Sequence, residues 1–186
     1  MALAVVGLAL LISLPGLAES VRRERLDSAT RSLVRLLSAA RWQALLQGTS
    51  MGLRLELLSD HDLRWRVFRD GDGDGMRRDD MNNGTDPAMG PPGLLSRLAP
   101  GVKADILPGY RVPRLPPQTG SLPRLQDPVK FGASNMATFS PLGGARSGSL
   151  YLSDGVRMNA LVVNGTTGRL RIFRFDTSKN HWKEMH

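Results

Sequence analysis

The chain has no cysteine. Disulfides, thiolate metal sites and a cysteine nucleophile are excluded by that alone. Histidine is nearly as scarce, with residues at 61, 181 and 186 only, and two of these fall in the last six positions, where chains are usually loosely held. Aromatic residues make up 5% of the chain and have no regular spacing, so a stacking platform for single-stranded nucleic acid is not expected. Trp42, Trp65 and Trp182 read instead as packing residues. No nucleophile-elbow motif is present. Ser153, Asp154 and His181 are the nearest approach to a triad and have no motif around them. The chain is therefore read as a non-enzyme, without a cofactor or a small-molecule substrate.

Charge is missing from the first 18 residues, MALAVVGLALLISLPGLA. Gly16 and Ala18 have the small side chains that a signal cut before Glu19 would require, but no Lys or Arg precedes the apolar run, so the basic leader of a secretory signal is absent. As a helix this run would span about 27 Å at 1.5 Å per residue, slightly short of a bilayer core of about 30 Å. No linker separates the run from the segment after it. In ESVRRERLDSATRSLVRLLSAARWQALLQG, Leu26, Ala29, Leu33, Leu36, Leu37, Ala40 and Ala44 recur at steps of three and four, the signature of one buried helical stripe. Arg22, Arg25, Arg31, Arg35 and Arg41 lie mostly off it, and Gly48 ends it. The expected element is one continuous rod, residues 1–18 apolar and 19–48 amphipathic, kinked at Pro15. Arg22, Arg23 and Arg25 read as a solvated helix face rather than a headgroup contact.

Beyond Gly48 the period changes to two. MGLRLELL puts Leu53, Leu55 and Leu57 on one face. LRWRVFRD puts Leu63, Trp65 and Val67 on one face, with Arg64 and Arg66 opposite. SDHD at 59–62 joins the two runs into a β-hairpin. Residues 82–130 hold ten of the twelve prolines and read as a long irregular loop with a short helix at 94–98. Strand patterns return in ATFSPLGGARSGSLYLSD, and NALVVN-GTTG-RLRIFRFD reads as a second hairpin. Residues 49–176 form the expected β domain, and residues 177–186 a frayed tail from which Trp182 could dock on the body of that domain.

The helix ALAVVGLALLISLPGLAESVRRERLDSATRSLVRLLSAAR, the loop VFRDGDGDGM, and the terminal pair FSPLGGARSGSLYLSD and ALVVNGTTGRLRIFR resemble, in this order, the pseudopilins and minor pilins of the GspH/FimT type. The resemblance covers nearly the whole chain. It implies an α+β, pilin-like fold, a long N-terminal helix packed on a small antiparallel sheet domain. It further implies a structural subunit of a type II secretion pseudopilus or a type IV pilus, with other pilins or pseudopilins as partners. Assembly would run through Val5, Val6, Gly7, Leu10, Leu11, Leu14 and Pro15. The implied location is the bacterial inner membrane, single-pass, with the C-terminal domain in the periplasm. The family's short basic leader, cleavage glycine and registering glutamate are absent here, so Met1 is expected to fall inside the family's apolar segment, downstream of the natural start.

Two side-chain sets invite a ligand. Asp70, Asp72 and Asp74 match positions one, three and five of a calcium loop, with Gly75 at the sharp turn. The twelfth position is Met81, so Asp79 or Asp80 would have to complete the set. The alternative is a polar turn whose aspartates bond their own backbone. The second set is Gly168, Arg169, Arg171 and Arg174. In DNA-uptake pilins a similar GRxR element binds DNA, which makes double-stranded DNA the alternative partner. Arg169 and Arg171 would lie on the same side of a strand, where they could meet successive phosphates. Residues 142–186 carry seven Lys or Arg against three Asp or Glu. The competing reading is an ordinary solvated strand face.

Overall fold

The computed structural model describes residues 2–123 and 126–185, with side chains from Glu19 onward. Helix α1 is Ala2–Gln47, and Gly48 follows it in the left-handed conformation at φ 65°. The predicted stripe is the buried face: Leu26, Ala29, Leu33, Leu37, Ala40 and Ala44 are buried and Leu36 is half-buried against the core. Each large member contributes about 1.5–3 kcal/mol by leaving water. Trp42 departs from the expectation of a packing role, since it is 59% exposed. With positions 37, 40 and 44 turned inward, position 42 falls on the outer side of the helix.

The β domain comprises two antiparallel sheets, where one small sheet was expected. The first has the order β3-β2-β1-β5, from β1 (Met51–Leu57), β2 (Leu63–Arg69), β3 (Gly93–Leu94) and β5 (Met136–Phe139). The second has the order β4-β6-β7-β8-β9, from β4 (Val129–Lys130), β6 (Gly148–Ser153), β7 (Met158–Val163), β8 (Leu170–Asp176) and β9 (His181–Met185). Both predicted hairpins are present, β1 with β2 and β7 with β8. The two sheets share one core beneath α1, in which Leu33 and Leu37 join Leu53, Leu55, Leu150 and Leu161.

The short helix α2 (Arg78–Asn83) leads into the proline-rich segment 82–130. That segment is mostly irregular among its described residues and contains the short helix α3 (Leu95–Leu98), but the expected unbroken loop is corrected by the two-residue strands β3 and β4, one joining each sheet. It is also firmly anchored. Leu107, Val112 and Leu115 pack with Tyr151, Ala160, Phe173 and Phe175 on the face of the second sheet that α1 does not cover. That second cluster corrects the expected frayed tail. β9 pairs with β8 along its whole length. Trp182 is buried, its Nε1 donates to the Pro113 carbonyl at 2.8 Å, and its ring lies 5.2 Å from that of Phe175.

The expected inner-membrane anchor is not supported: among the described residues, no helix is long and apolar enough to cross a membrane. From Glu19 onward α1 carries Arg22, Arg23, Arg25, Arg31 and Arg35 on its exposed side and spends its apolar stripe on the two sheets. The side chains of Val5, Val6, Gly7, Leu10, Leu11, Leu14 and Pro15 lie outside the described residues.

Candidate functional site

The acidic loop leaves β2 and turns back to α2. Asp70 is buried and works within the turn, its Oδ1 accepting from Gly73 N–H at 2.7 Å and its Oδ2 from Gly75 N–H at 3.0 Å. Gly73 and Gly75 both have positive φ, which glycine alone adopts without strain. Asp72 and Asp74 are exposed, and Asp74 pairs with Arg77. Carboxylate oxygens of Asp70, Asp72 and Asp74 lie within 4.8 Å of one another, the right donor type for calcium. Asp79 lies on α2 and is not part of that group. Desolvation raises the Asp74 pKa above the ordinary carboxylate value, with Arg77 opposing it and Asp72 adding to it.

The residue that fixes this loop belongs to no motif. Asp86 is 1% exposed, accepting from Gly71 N–H at 3.1 Å and from Arg77 N–H at 3.4 Å. It sits where the chain returns alongside β2, with Arg69 N–H on the Pro87 carbonyl and Met89 N–H on the Val67 carbonyl. The aspartates at 70 and 86 therefore satisfy backbone donors from opposite ends of the same loop, which is the polar-turn reading carried out in detail. Only a signal linking residues about sixteen apart could have revealed Asp86, and local turn chemistry supplies none.

The arginine hairpin is divided by strand geometry. Gly168 has φ 62°, and a Cβ there would stand 2.8 Å from Arg41 Nε and 2.9 Å from the Gly143 carbonyl, so glycine is required by packing. Arg169 is exposed. Arg171 donates from Nε and Nη2 to the two oxygens of Glu184 on β9, at 2.7 and 2.5 Å, and lies 4.8 Å over the Phe173 ring. This forked hydrogen bond raises its pKa. Arg174 is on the opposite face of β8 and donates to Asp27 of α1 at 2.5 Å. Arg169 stands one residue before β8, and Arg174 does not share the side of the strand that Arg171 takes.

Arg174 instead belongs to a buried polar clasp between helix and sheet. Asn159 on β7 donates from Nδ2 to Asp27 Oδ1 at 2.9 Å and to Thr30 Oγ1 at 3.1 Å, and Thr30 donates to the Leu26 carbonyl at 2.7 Å. Asp27, Thr30 and Asn159 are all buried. Glu19 meets Arg157 at one end of the docked segment, and Arg41 donates to the Thr167 carbonyl at 3.0 Å at the other. Polar ties at both ends and in the middle of one helix fix its rotation and its axial position on the sheet. Asp27 and Thr30 sit beside Leu26 and Ala29 in the sequence, so the helical period places them on the buried side. Their partners are distant in the chain and cannot be read locally.

Ser153 and Asp154 serve a tight turn: Ser153 Oγ donates to the Arg157 carbonyl at 3.0 Å, and Asp154 Oδ1 accepts from Val156 and Arg157 N–H groups. His181 is exposed at the start of β9. No protein-family model, no curated protein and no solved structure matches the chain.

Proposed function

We propose that the chain is a structural subunit of the pilin or pseudopilin kind, which acts by assembling with other such subunits rather than by catalysis. The observation that carries this reading is the treatment of α1. Its second half is locked to both sheets by a full apolar stripe and by ties at Glu19, Asp27 and Arg41. Directly before it in the sequence stands an uncharged apolar run of 18 residues. A rigidly held helix is a suitable base from which such a run can pack against the equivalent run of another subunit, where small residues and close packing decide association. Secretion pseudopilus and type IV pilus subunits both fit this description.

The DNA-uptake alternative has less support. Arg171 and Arg174 already hold carboxylates, and a protein ion pair must be broken before either can neutralise a phosphate. Of the three arginines, only Arg169 forms no ion pair among the described residues.

Photo-crosslinking residues placed at Val6 and Leu10 test the subunit reading in cells. Discrete crosslinks to another pilin-like chain, lost when the label is moved to the buried Ala40, are the expected result. Crosslinks to unrelated proteins only would contradict it.

A further inference from the structure

On the outer face of the first sheet, two arginines confront each other. β1 and β2 pair so that Arg54 is directly opposite Arg66, and Glu56 directly opposite Arg64. The second pair is compensated: Arg64 donates from Nε and Nη2 to Glu56 Oε2 at 3.0 and 2.7 Å. The first is not. Arg54 Nη1 donates to Asn82 Oδ1 at 2.9 Å, and Arg66 Nε to the Gly90 carbonyl at 3.3 Å, both neutral acceptors. Like charges directly opposite on antiparallel strands repel. An arrangement of this kind costs stability unless something anionic occupies it.

The same residues line a cleft of about 470 Å³ between the sheet face, α2 and Pro92. Its apolar lining is Trp65, Phe68, Met81 and Pro92; Phe68 and Met81 are buried, and the Arg66 guanidinium lies 5.9 Å from the Phe68 ring centre. Three guanidiniums, one carboxylate and an apolar floor suit a ligand with a planar anion on a short hydrocarbon stem. Guanidinium forks match carboxylates and phosphates alike. The apolar floor separates the two: a Glu or Asp side chain brings a methylene stem to Phe68 and Met81, whereas a bare phosphate brings no apolar group to them.

We propose that this cleft binds an acidic peptide segment of a partner protein, with a Glu or Asp side chain held between Arg54 and Arg66 and its stem against Phe68 and Met81. The proposal does not depend on the subunit reading.

Calorimetric titration of the full chain with a blocked peptide of alternating Glu and Ala tests it. Saturable one-site binding that weakens with salt is expected, and none with the Gln-for-Glu peptide. R54Q and R66Q should each weaken binding about tenfold, the loss of one charge-assisted fork. E56Q should tighten it several-fold by removing a competing carboxylate, which keeps the test valid if either arginine variant proves unstable. R35Q, on the exposed side of α1, should change nothing. Equal binding of the Gln peptide overturns the proposal, as does binding indifferent to R54Q, R66Q and E56Q. Displacement of the peptide by duplex DNA, with DNA binding lost in the same two arginine variants, overturns it in favour of a nucleic-acid partner.

Discussion

Strands β2 and β8 begin almost alike, LRWRVFR and LRIFRFD, and do opposite things with their arginines. In β2, Arg64 and Arg66 are two apart and share the outer face, so they face the arginine and glutamate of β1. In β8, Arg171 and Arg174 are three apart and point to opposite faces. One reaches Glu184 on the neighbouring strand and the other reaches Asp27 on α1. A shift of one position turns a surface charge into a tie between layers. An arginine's role thus depends less on the arginine than on which face the strand period assigns it and what stands there.

Removing these arginines in turn should separate the two strands. Arg174→Ala should cost the most, roughly 2–3 kcal/mol by denaturant unfolding, because it leaves the Asp27 carboxylate buried with one charge partner lost. Loss near zero would mean that the helix is held by its apolar stripe alone. Asn159→Ala removes two hydrogen bonds from the same clasp and should cost about 1–2 kcal/mol. Arg171→Ala should cost about 1 kcal/mol or less, since the Glu184 carboxylate it leaves behind is 27% exposed, against 10% for Asp27, and stays within reach of water. Arg66→Ala should fall within about 0.5 kcal/mol of the parent, relief of repulsion from Arg54 offsetting the lost contact with Phe68. A loss as large as that of Arg174→Ala would erase the distinction between the two strands.

The smallest effect lies at the end of β8. The Ser178 hydroxyl, then backbone N–H groups of Lys179 and Ser178, hold the Asp176 carboxyl below its ordinary value against a smaller desolvation effect. A lowered folded pKa gives stability that is present above the unfolded value and lost as pH falls through the folded one. Ser178→Ala should therefore lower stability slightly at neutral pH, by an amount that shrinks as pH falls through the folded Asp176 pKa and is gone once the carboxyl is protonated in both states; a loss that is the same at acid and neutral pH would contradict this.

Local periodicity made much of this molecule legible. Leu26, Ala29, Leu33, Leu37, Ala40 and Ala44 are buried as their spacing requires, and both hairpins form at the expected residues, because in each case the deciding interactions are few residues apart. Elements decided by distant partners were not legible. β9 exists because Trp182 finds Phe175 and the Pro113 carbonyl. Segment 82–130 is held by Leu107, Val112 and Leu115, whose apolar character in a proline-rich tract carries no period. At the sites, the aspartates and the GRLR turn were visible by spacing. What commits these regions, Asp86 on the Gly71 and Arg77 N–H groups, Glu184 on Arg171 and Asp27 on Arg174, comes from residues that no motif connects.

Sedimentation velocity on the full chain and on a chain beginning at Glu19 would decide whether this protein is an assembling subunit built on a docked helix. The shorter chain should be a folded monomer, since every docking contact described lies at or beyond Glu19. The full chain should form discrete oligomers, alone or with a pilin-like partner. A shorter chain that is unfolded, or a full chain that stays monomeric with every such partner, would contradict that reading.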